Sequence, residues 1–206
     1  KRVAIVGPSP HLLGSNMGKK IDSYDIVCRL NEVRPKGLEA DYGSKADILF
    51  WHLNNCDMEE FDTFRRADPE AFDNIKLLVY PRQHGDVNRR GCGKSTPLEN
   101  ATKWFPNAPF YQVNTNLIKN WEDEFNAHFT VGTLSLLMLL ECDFKELFIC
   151  GMSFFMHGGK RYHPSHPTRP NATGSPHEMY KDIAFLRRRI ASRENITGDE
   201  YFNNIL

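Results

Sequence analysis

The sequence lacks the features that assign a chain of this size to several common classes. Its 26 basic and 26 acidic residues cancel, so no net charge favours a dedicated nucleic-acid or polyanion binder. No apolar run approaches the about 20 residues that span a bilayer, and no membrane contact is expected of these residues. Because the first residues already have the apolar pattern of a strand, we expect no signal segment within this sequence. What remains is a globular domain in which 40% of the residues are hydrophobic, enough for a core.

Cysteine usage is sparse and unpatterned. The five cysteines are odd in number and form no CxxC pair, which argues against a disulfide scaffold. Cys28, Cys142 and Cys150 lie in apolar runs and are predicted to be small core residues.

The common nucleotide-binding fingerprints are absent as well. The first loop, Gly7-Pro8-Ser9-Pro10, follows an apolar strand but lacks GxGxxG, so it is either a phosphate-facing loop or an ordinary turn. The segment GCGKST at 91–96 resembles the end of a P-loop, yet Asn88 stands where that motif needs its first glycine. An exposed basic glycine-rich loop is the preferred interpretation of that segment.

Apolar periodicity is the strongest signal that is present. Short apolar runs bounded by Gly, Pro or Asn predict strands covered on both faces, at 3–7, 25–30, 46–51, 75–80, 110–113 and 146–151. Helices are predicted at 57–68, 114–125, 131–142 and 177–193, the third of them buried. Alternating strands and helices predict one Rossmann-like α/β domain over 1–206, with a mostly parallel sheet and ligands at the carboxyl ends of its strands.

A proline-rich loop, HGGKRYHPSHPTRPNATGSP at 157–176, separates the last predicted core strand from the last predicted helix. Loops this long often close over binding sites, so a lid is predicted at 156–176. The loop region holds four histidines whose spacing matches no standard zinc pattern, namely His157, His163, His166 and His177. Surface histidines are therefore preferred to a metal site. His177 opens the predicted helix and is either a structural residue or a general base.

Several weak features occur in an order that resembles the large sialylmotif of the sialyltransferase family, glycosyltransferase family 29. Its elements appear within 3–33 and 39–50 as Gly7-Pro8-Ser9, Gly14-Ser15, Asp22-Ser23, Arg29-Leu30-Asn31 and Ala40-Asp41-Tyr42-Gly43-Ser44. The match through residue 33 needs no gap. Compact bacterial sialyltransferases show a similar order.

Residues 129–155 are similar to the small sialylmotif, through Thr130-Val131-Gly132, Cys142-Asp143 and Gly151. The stretch HEMYKD at 177–182 resembles the last short motif, His-x4-Glu, with Asp182 in place of Glu. Tyr162-His163 resembles the remaining aromatic/His motif. The resemblance thus covers both ends of the chain and leaves 52–128 unmatched.

The resemblance implies a GT-A-like variant of the Rossmann-like fold and an inverting glycosyltransferase that needs neither a metal nor a cofactor. Its partners would be a glycan acceptor and a CMP-activated donor sugar, either sialic acid or the chemically similar Kdo. The motif positions imply His177 as general base, with Tyr162 and His163 at the departing phosphate. They imply donor binding by Gly7, Pro8, Ser9, Asn31, Thr130, Val131, Gly132, Thr133, Gly151 and Ser153.

Two departures from the family pattern stand out. Pro8 replaces an Asn that usually contacts the nucleotide. The usual disulfide partner of the cysteine at Cys142 would lie at Val3, so that bridge cannot form, which implies a divergent member.

Three other classes stay open at this point. A Rossmann-type oxidoreductase would bind NAD or NADP, and the missing fingerprint counts against it. A degenerate transferase, which Pro8 and Asp182 would favour, would bind CMP without turnover. A metal-dependent hydrolase built on the loop histidines would be sensitive to chelators.

Overall fold

A parallel sheet forms the centre of the computed structural model, which describes residues 1–31, 35–53, 58–81, 96–126, 129–156 and 179–205, without the side chains of 58–61. Its seven strands are β1 (Arg2–Val6), β2 (Ile26–Leu30), β3 (Ile48–Phe50), β4 (Leu77–Tyr80), β5 (Phe110–Gln112), β6 (Glu146–Cys150) and β7 (Ile196–Gly198). They lie in the order β5-β4-β3-β2-β1-β6-β7, and every neighbouring pair is parallel.

Helices connect the strands. They are α1 (Gly18–Asp22), α2 (Glu39–Tyr42), α3 (Met58–Ala67), α4 (Pro69–Asp73), α5 (Pro97–Trp104), α6 (Thr115–Phe125), α7 (Val131–Leu140), α8 (Met179–Ile190) and α9 (Glu200–Ile205), with a 3-10 turn at Pro10–Leu12. None of the described helices is long and apolar enough to cross a membrane.

Alternate residues of β1 belong to two hydrophobic clusters, one on each face of the sheet. Val3 and Ile5 pack in the cluster that contains residues of α7 and α8, whereas Ala4 and Val6 pack with residues of α1 and α2. Because both faces are covered, the strand needs apolar residues at every position. This explains the continuous apolar runs of the sequence.

The strand order creates a crevice at one point of the sheet. The chain winds outward from β1 to β5 and then returns to place β6 beside β1. The chain after β1 leads to α1 on one face of the sheet, whereas the next described helix after β6, α8, packs on the other face. Ligands of open parallel sheets bind at such a switch point.

The predicted α/β fold with a parallel sheet is confirmed, and all six predicted strands are present. The four predicted helices are present at 58–67, 115–125, 131–140 and 179–190. β7 and five short helices were not predicted, because three to eight residues carry too little periodicity. Cys28 and Cys150 are buried as predicted, but Cys142 is exposed, since it lies beyond the end of α7.

The domain extent of 1–206 and the lid at 156–176 stay predictions. Residues 157–178 lie outside the described part of the chain, as do 82–95 with most of the glycine-rich segment.

Candidate active site

The crevice between β1 and β6 is shaped by two glycines, one at the end of each strand. The N–H of Gly7 donates to the carbonyl of Cys150 (2.9 Å), and that of Ser9 donates to the carbonyl of Gly151 (3.0 Å). A Cβ atom on Gly7 would lie 2.3 Å from the Gly151 oxygen, and one on Gly151 would lie 2.2 Å from the Gly7 oxygen. Gly151 also has a φ of +67°. Only glycine allows the two loops to approach this closely.

A small depression opens beside this contact, at the carboxyl ends of β1 and β2. It is lined by Val6, Gly7, Pro8, Arg29, Leu30, Pro35 and Tyr42. The guanidinium of Arg29 donates to the carbonyls of Tyr42, Gly43 and Lys45 at 2.8 to 3.1 Å. Since these carbonyls occupy its donors, Arg29 serves to fix the segment after α2 behind the depression.

Ser9 holds the loop after β1 in place. It is 2% exposed, and each of its polar groups has a partner within the protein. Its N–H donates to Gly151, its carbonyl accepts from the Tyr42 hydroxyl (2.7 Å), and its hydroxyl lies 3.0 Å from Nδ1 of His11. A direct contact between the Ser9 side chain and a ligand would compete with these bonds.

His11 joins Ser9 to a buried carboxylate. Its Nε2 atom lies 2.9 Å from Oδ2 of Asp199, and its ring stacks on Tyr201 with 4.6 Å between the ring centroids. Ser9, His11 and Asp199 are thus at the distances of a Ser–His–Asp nucleophilic triad. A nucleophile must reach the substrate, however, and the burial of Ser9 argues against that role. The cluster instead supports the loop.

Asp199 is ionised and acts only as an acceptor. Burial would raise the pKa of this carboxyl, but hydrogen bonds from His11 and from the N–H groups of Phe202 and Gly151 outweigh burial and lower the pKa. Nε2 of His11 must therefore donate to the carboxylate. In the neutral imidazole, Nδ1 then accepts from the Ser9 hydroxyl.

Asn31 follows β2 directly and adopts a left-handed conformation with a φ of +54°. Asparagine tolerates this conformation better than most residues. Its N–H donates to the carbonyl of Phe50 (2.9 Å), and its amide oxygen lies 3.4 Å from Nδ1 of His52. Asn31 thus stands at the carboxyl edge of the sheet, next to Leu30 of the depression.

The N-terminus of α7 reaches the same region. A Cβ atom on Gly132 would lie 2.9 Å from Cε of Met152 and 3.5 Å from Cδ1 of Leu30. Thr130 caps the helix, because its Oγ1 accepts from the N–H of Thr133 (3.1 Å). The N–H groups of Val131 and Gly132 have no partner within the helix, as at any helix start, and suit an anionic ligand.

Asp182 binds α8 to the start of α7. Its Oδ2 atom accepts from the N–H and the Oγ1 of Thr130, both at 3.2 Å, and from the Oγ1 of Thr133. The residue is 1% exposed, so these bonds are shielded from water. The side chains of Thr130 and Thr133 therefore already have partners, and the backbone is the part of this turn that suits a ligand.

The loop after β6 begins with an unusual turn. Ser153 is buried, and its carbonyl accepts from the N–H of Met156 (2.8 Å). Phe154 and Phe155 have φ values of +47° and +58°. Bulky residues pay about 1–2 kcal/mol each for this conformation. Such strain concentrates at functional sites, and here it lies in the loop that follows β6 and Gly151.

Several predicted residues lie outside the described part of the chain. They are Tyr162, His163 and His177, together with His157 and His166 of the metal alternative. Among the residues that are described, no group of three His, Cys, Asp or Glu side chains is placed to hold a metal ion.

Sequence reasoning missed three residues of the site. His11, Tyr42 and Asp199 support the loop after β1 but received no role from the motifs. A histidine two residues after the loop serine was a visible signal. Asp199 carried none, because it meets His11 across 188 positions of the sequence.

Comparison with known proteins identifies relatives of this chain. Residues 1–89 match the model of glycosyltransferase family 29 (sialyltransferase). The CMP-N-acetylneuraminate-beta-galactosamide-alpha-2,3-sialyltransferase 1 of Mus musculus is 47% identical over 165 residues, which cover 72% of this chain and 44% of the relative. The chain spans less than half the length of the curated relatives that it matches.

Two solved structures share the fold. A mammalian sialyltransferase in complex with Gal-beta-1-3GalNAc-ortho-nitrophenol is similar over 96% of this chain and 68% of its own, with a TM-score of 0.59 and 22% identity. The apo alpha-2,3-sialyltransferase from Campylobacter jejuni is similar over 97% of this chain and 76% of its own, with a TM-score of 0.53 and 19% identity.

Proposed function

We propose that this chain, which belongs to the sialyltransferase family, transfers sialic acid from CMP-sialic acid to a hydroxyl group of a glycan. The observation that carries the proposal is the meeting of the sialylmotif positions at one crevice. Gly7 and Gly151 face each other across the switch point, and Gly132 opens α7 beside it. Three separate stretches of sequence thus converge where a parallel sheet binds nucleotides.

The donor would lie across the ends of β1, β2 and β6. Gly7 and Pro8 would contact the nucleotide from the depression, with Ser9 fixing their position, and Asn31 would contact it from the end of β2. Gly151 would allow the backbone to approach the cytidine. The N–H groups of Val131 and Gly132 would hold the donor carboxylate or phosphate, with Thr130 and Thr133 shaping that turn and Ser153 the loop after β6.

The chemistry would invert the anomeric centre in one displacement. The acceptor hydroxyl attacks the anomeric carbon on the face opposite CMP, through a transition state with oxocarbenium character. His177 would take the hydroxyl proton as general base. Tyr162 and His163 would donate to the phosphate as negative charge grows on it. These groups would replace a metal, so we propose that no metal and no cofactor are needed.

Kdo is the alternative donor sugar, because it shares with sialic acid the carboxylate next to the anomeric carbon and the CMP leaving group. A lid at 156–176 would close over donor and acceptor and keep out water, which competes as a nucleophile.

Calorimetric titration with CMP, CDP, UDP and NAD, with and without EDTA, tests the donor class. Selective CMP binding that ignores EDTA is expected. CMP release from CMP-sialic acid and from CMP-Kdo then identifies the sugar, and NMR of the product anomer tests inversion. Preference for UDP or NAD would refute the proposal.

A catalytically inactive CMP-sugar binding module is the second candidate, and Pro8 is the observation that favours it. Proline offers no side-chain amide in the depression where the family usually has asparagine. CMP binding without turnover of either donor would select this candidate.

A further inference from the structure

We propose that His11 and Asp199 are positioning residues that set the shape of the donor loop, residues 7–13, and through it the affinity for CMP. The inference rests on the proposed function, because it assigns a role to residues behind the proposed donor site. Neither residue contacts the depression, and Asp199 lies beyond every sialylmotif position.

One carboxylate ties three segments together. Oδ2 of Asp199 accepts from the N–H of Gly151 (2.8 Å) and from Nε2 of His11 (2.9 Å), while Oδ1 accepts from the N–H of Phe202 (2.7 Å). The side chains of His11 and Asp199 are only 7% and 4% exposed. A buried charge must keep its partners, so the carboxylate holds the loops after β1 and β6 in a fixed relation.

His11 transmits this constraint to the donor loop. One ring nitrogen is fixed by Asp199, stacking on Tyr201 fixes the ring plane, and the other nitrogen holds the Ser9 hydroxyl at 3.0 Å. Ser9 directly follows Pro8, which lines the depression. A displacement of Ser9 would therefore move the surface that we assign to the nucleotide.

Two single variants distinguish an effect on the position of the donor loop from an effect on the stability of the domain. His11→Gln keeps a donor that can reach the Asp199 carboxylate but has no acceptor where Nδ1 meets Ser9. Ser9→Ala removes the hydroxyl and leaves the pair of His11 and Asp199 intact. Each should weaken CMP binding about tenfold, the equivalent of one lost hydrogen bond, and should lower urea stability no more than the control variant described below.

The double variant is the decisive measurement. Since both changes break the same link, His11→Gln with Ser9→Ala should bind CMP about as weakly as either single variant, rather than with the product of the two effects. In turnover assays the KM for the CMP-sugar should rise about tenfold, with an unchanged KM for the acceptor.

A matched control lies at the opposite edge of the same strands. Tyr24→Phe removes the partly buried hydroxyl of a buried residue, which donates to Glu146 at 2.6 Å where β6 begins. This variant should lose stability but keep CMP affinity.

Three results would overturn the inference. In the first, both single variants bind CMP within twofold of the wild type, so that the cluster is only structural. In the second, their effects multiply in the double variant, so that they act independently. In the third, the wild-type protein does not bind CMP. That result overturns the proposed function as well, whereas the first two results overturn only the role of His11 and Asp199. If His11→Gln does not fold, Ser9→Ala decides alone, with a loss of less than twofold overturning the inference.

Discussion

Replacement of Gly151 by alanine tests whether the contact between the two loops shapes the site. The new Cβ atom would lie 2.2 Å from the Gly7 oxygen and 2.8 Å from Cδ1 of Leu12. The carbonyl belongs to the backbone and cannot swing aside as a side chain can. The loops must therefore separate by about 1 Å to restore an ordinary contact distance.

The expected loss of stability has two parts. A non-glycine residue at the φ of +67° costs about 1–2 kcal/mol. Overpacking in a rigid region adds about 1–3 kcal/mol. The sum of about 2–5 kcal/mol is a large share of the about 5–15 kcal/mol that stabilises a typical domain.

Gly37→Ala is the matched control. Gly37 has a similar φ of +83°, but nothing lies within 4 Å of its Cβ position. Urea denaturation of both variants therefore isolates the steric part, and calorimetry with CMP shows whether the separated loops still bind the nucleotide. Equal stability losses in the two variants, or undiminished CMP binding by Gly151→Ala, would refute the reasoning.

Three further expectations can be checked separately. His177→Ala should abolish transfer and leave calorimetric CMP binding nearly intact, and transfer at the wild-type rate would refute the assignment of the base. Thr133→Val should cost about 1–3 kcal/mol in urea denaturation, because the buried Asp182 carboxylate loses a donor, whereas Thr133→Ser should cost less. The pKa of Asp199 is lowered in the folded protein, so its contribution to stability is present above the unfolded value of about 3.9 and is lost as the pH falls further. The difference in unfolding free energy between wild type and Asp199→Asn should thus shrink from pH 7 to about pH 3, and a constant difference would contradict it.

The sequence predicted the central strands because both faces of the sheet are covered. Val3 to Val6 and Leu147 to Cys150 are buried without interruption, and a continuous apolar run is the direct trace of that environment. Gly7 and Gly151 could be placed at the site because strand ends are visible in the sequence. The contact between the two glycines could not be predicted, because it depends on the pairing of β1 with β6, which local sequence patterns do not encode.

The supporting residues were beyond prediction for a related reason. Asp199 follows a three-residue strand and caps a six-residue helix, both too short for a periodic signal. Its partners His11 and Gly151 come from distant parts of the chain. Burial and polar pairing are properties of the tertiary structure, so an isolated acidic residue gives no local sign that it will hold two loops together.

Two of the departures from the sialylmotifs, Asp182 and Pro8, differ in what surrounds them in the structure. Asp182 is one methylene shorter than the glutamate of the family motif, a difference of about 1.5 Å in reach. Its carboxylate nevertheless contacts Thr130 and Thr133, so α8 and α7 lie close enough here for the shorter side chain. Asp182 thus has a structural role in this chain, joining α8 to the start of α7. Pro8 is different, because its side chain offers no amide to the nucleotide in the depression. The choice between transferase and binding module depends on what the nucleotide contacts at that position.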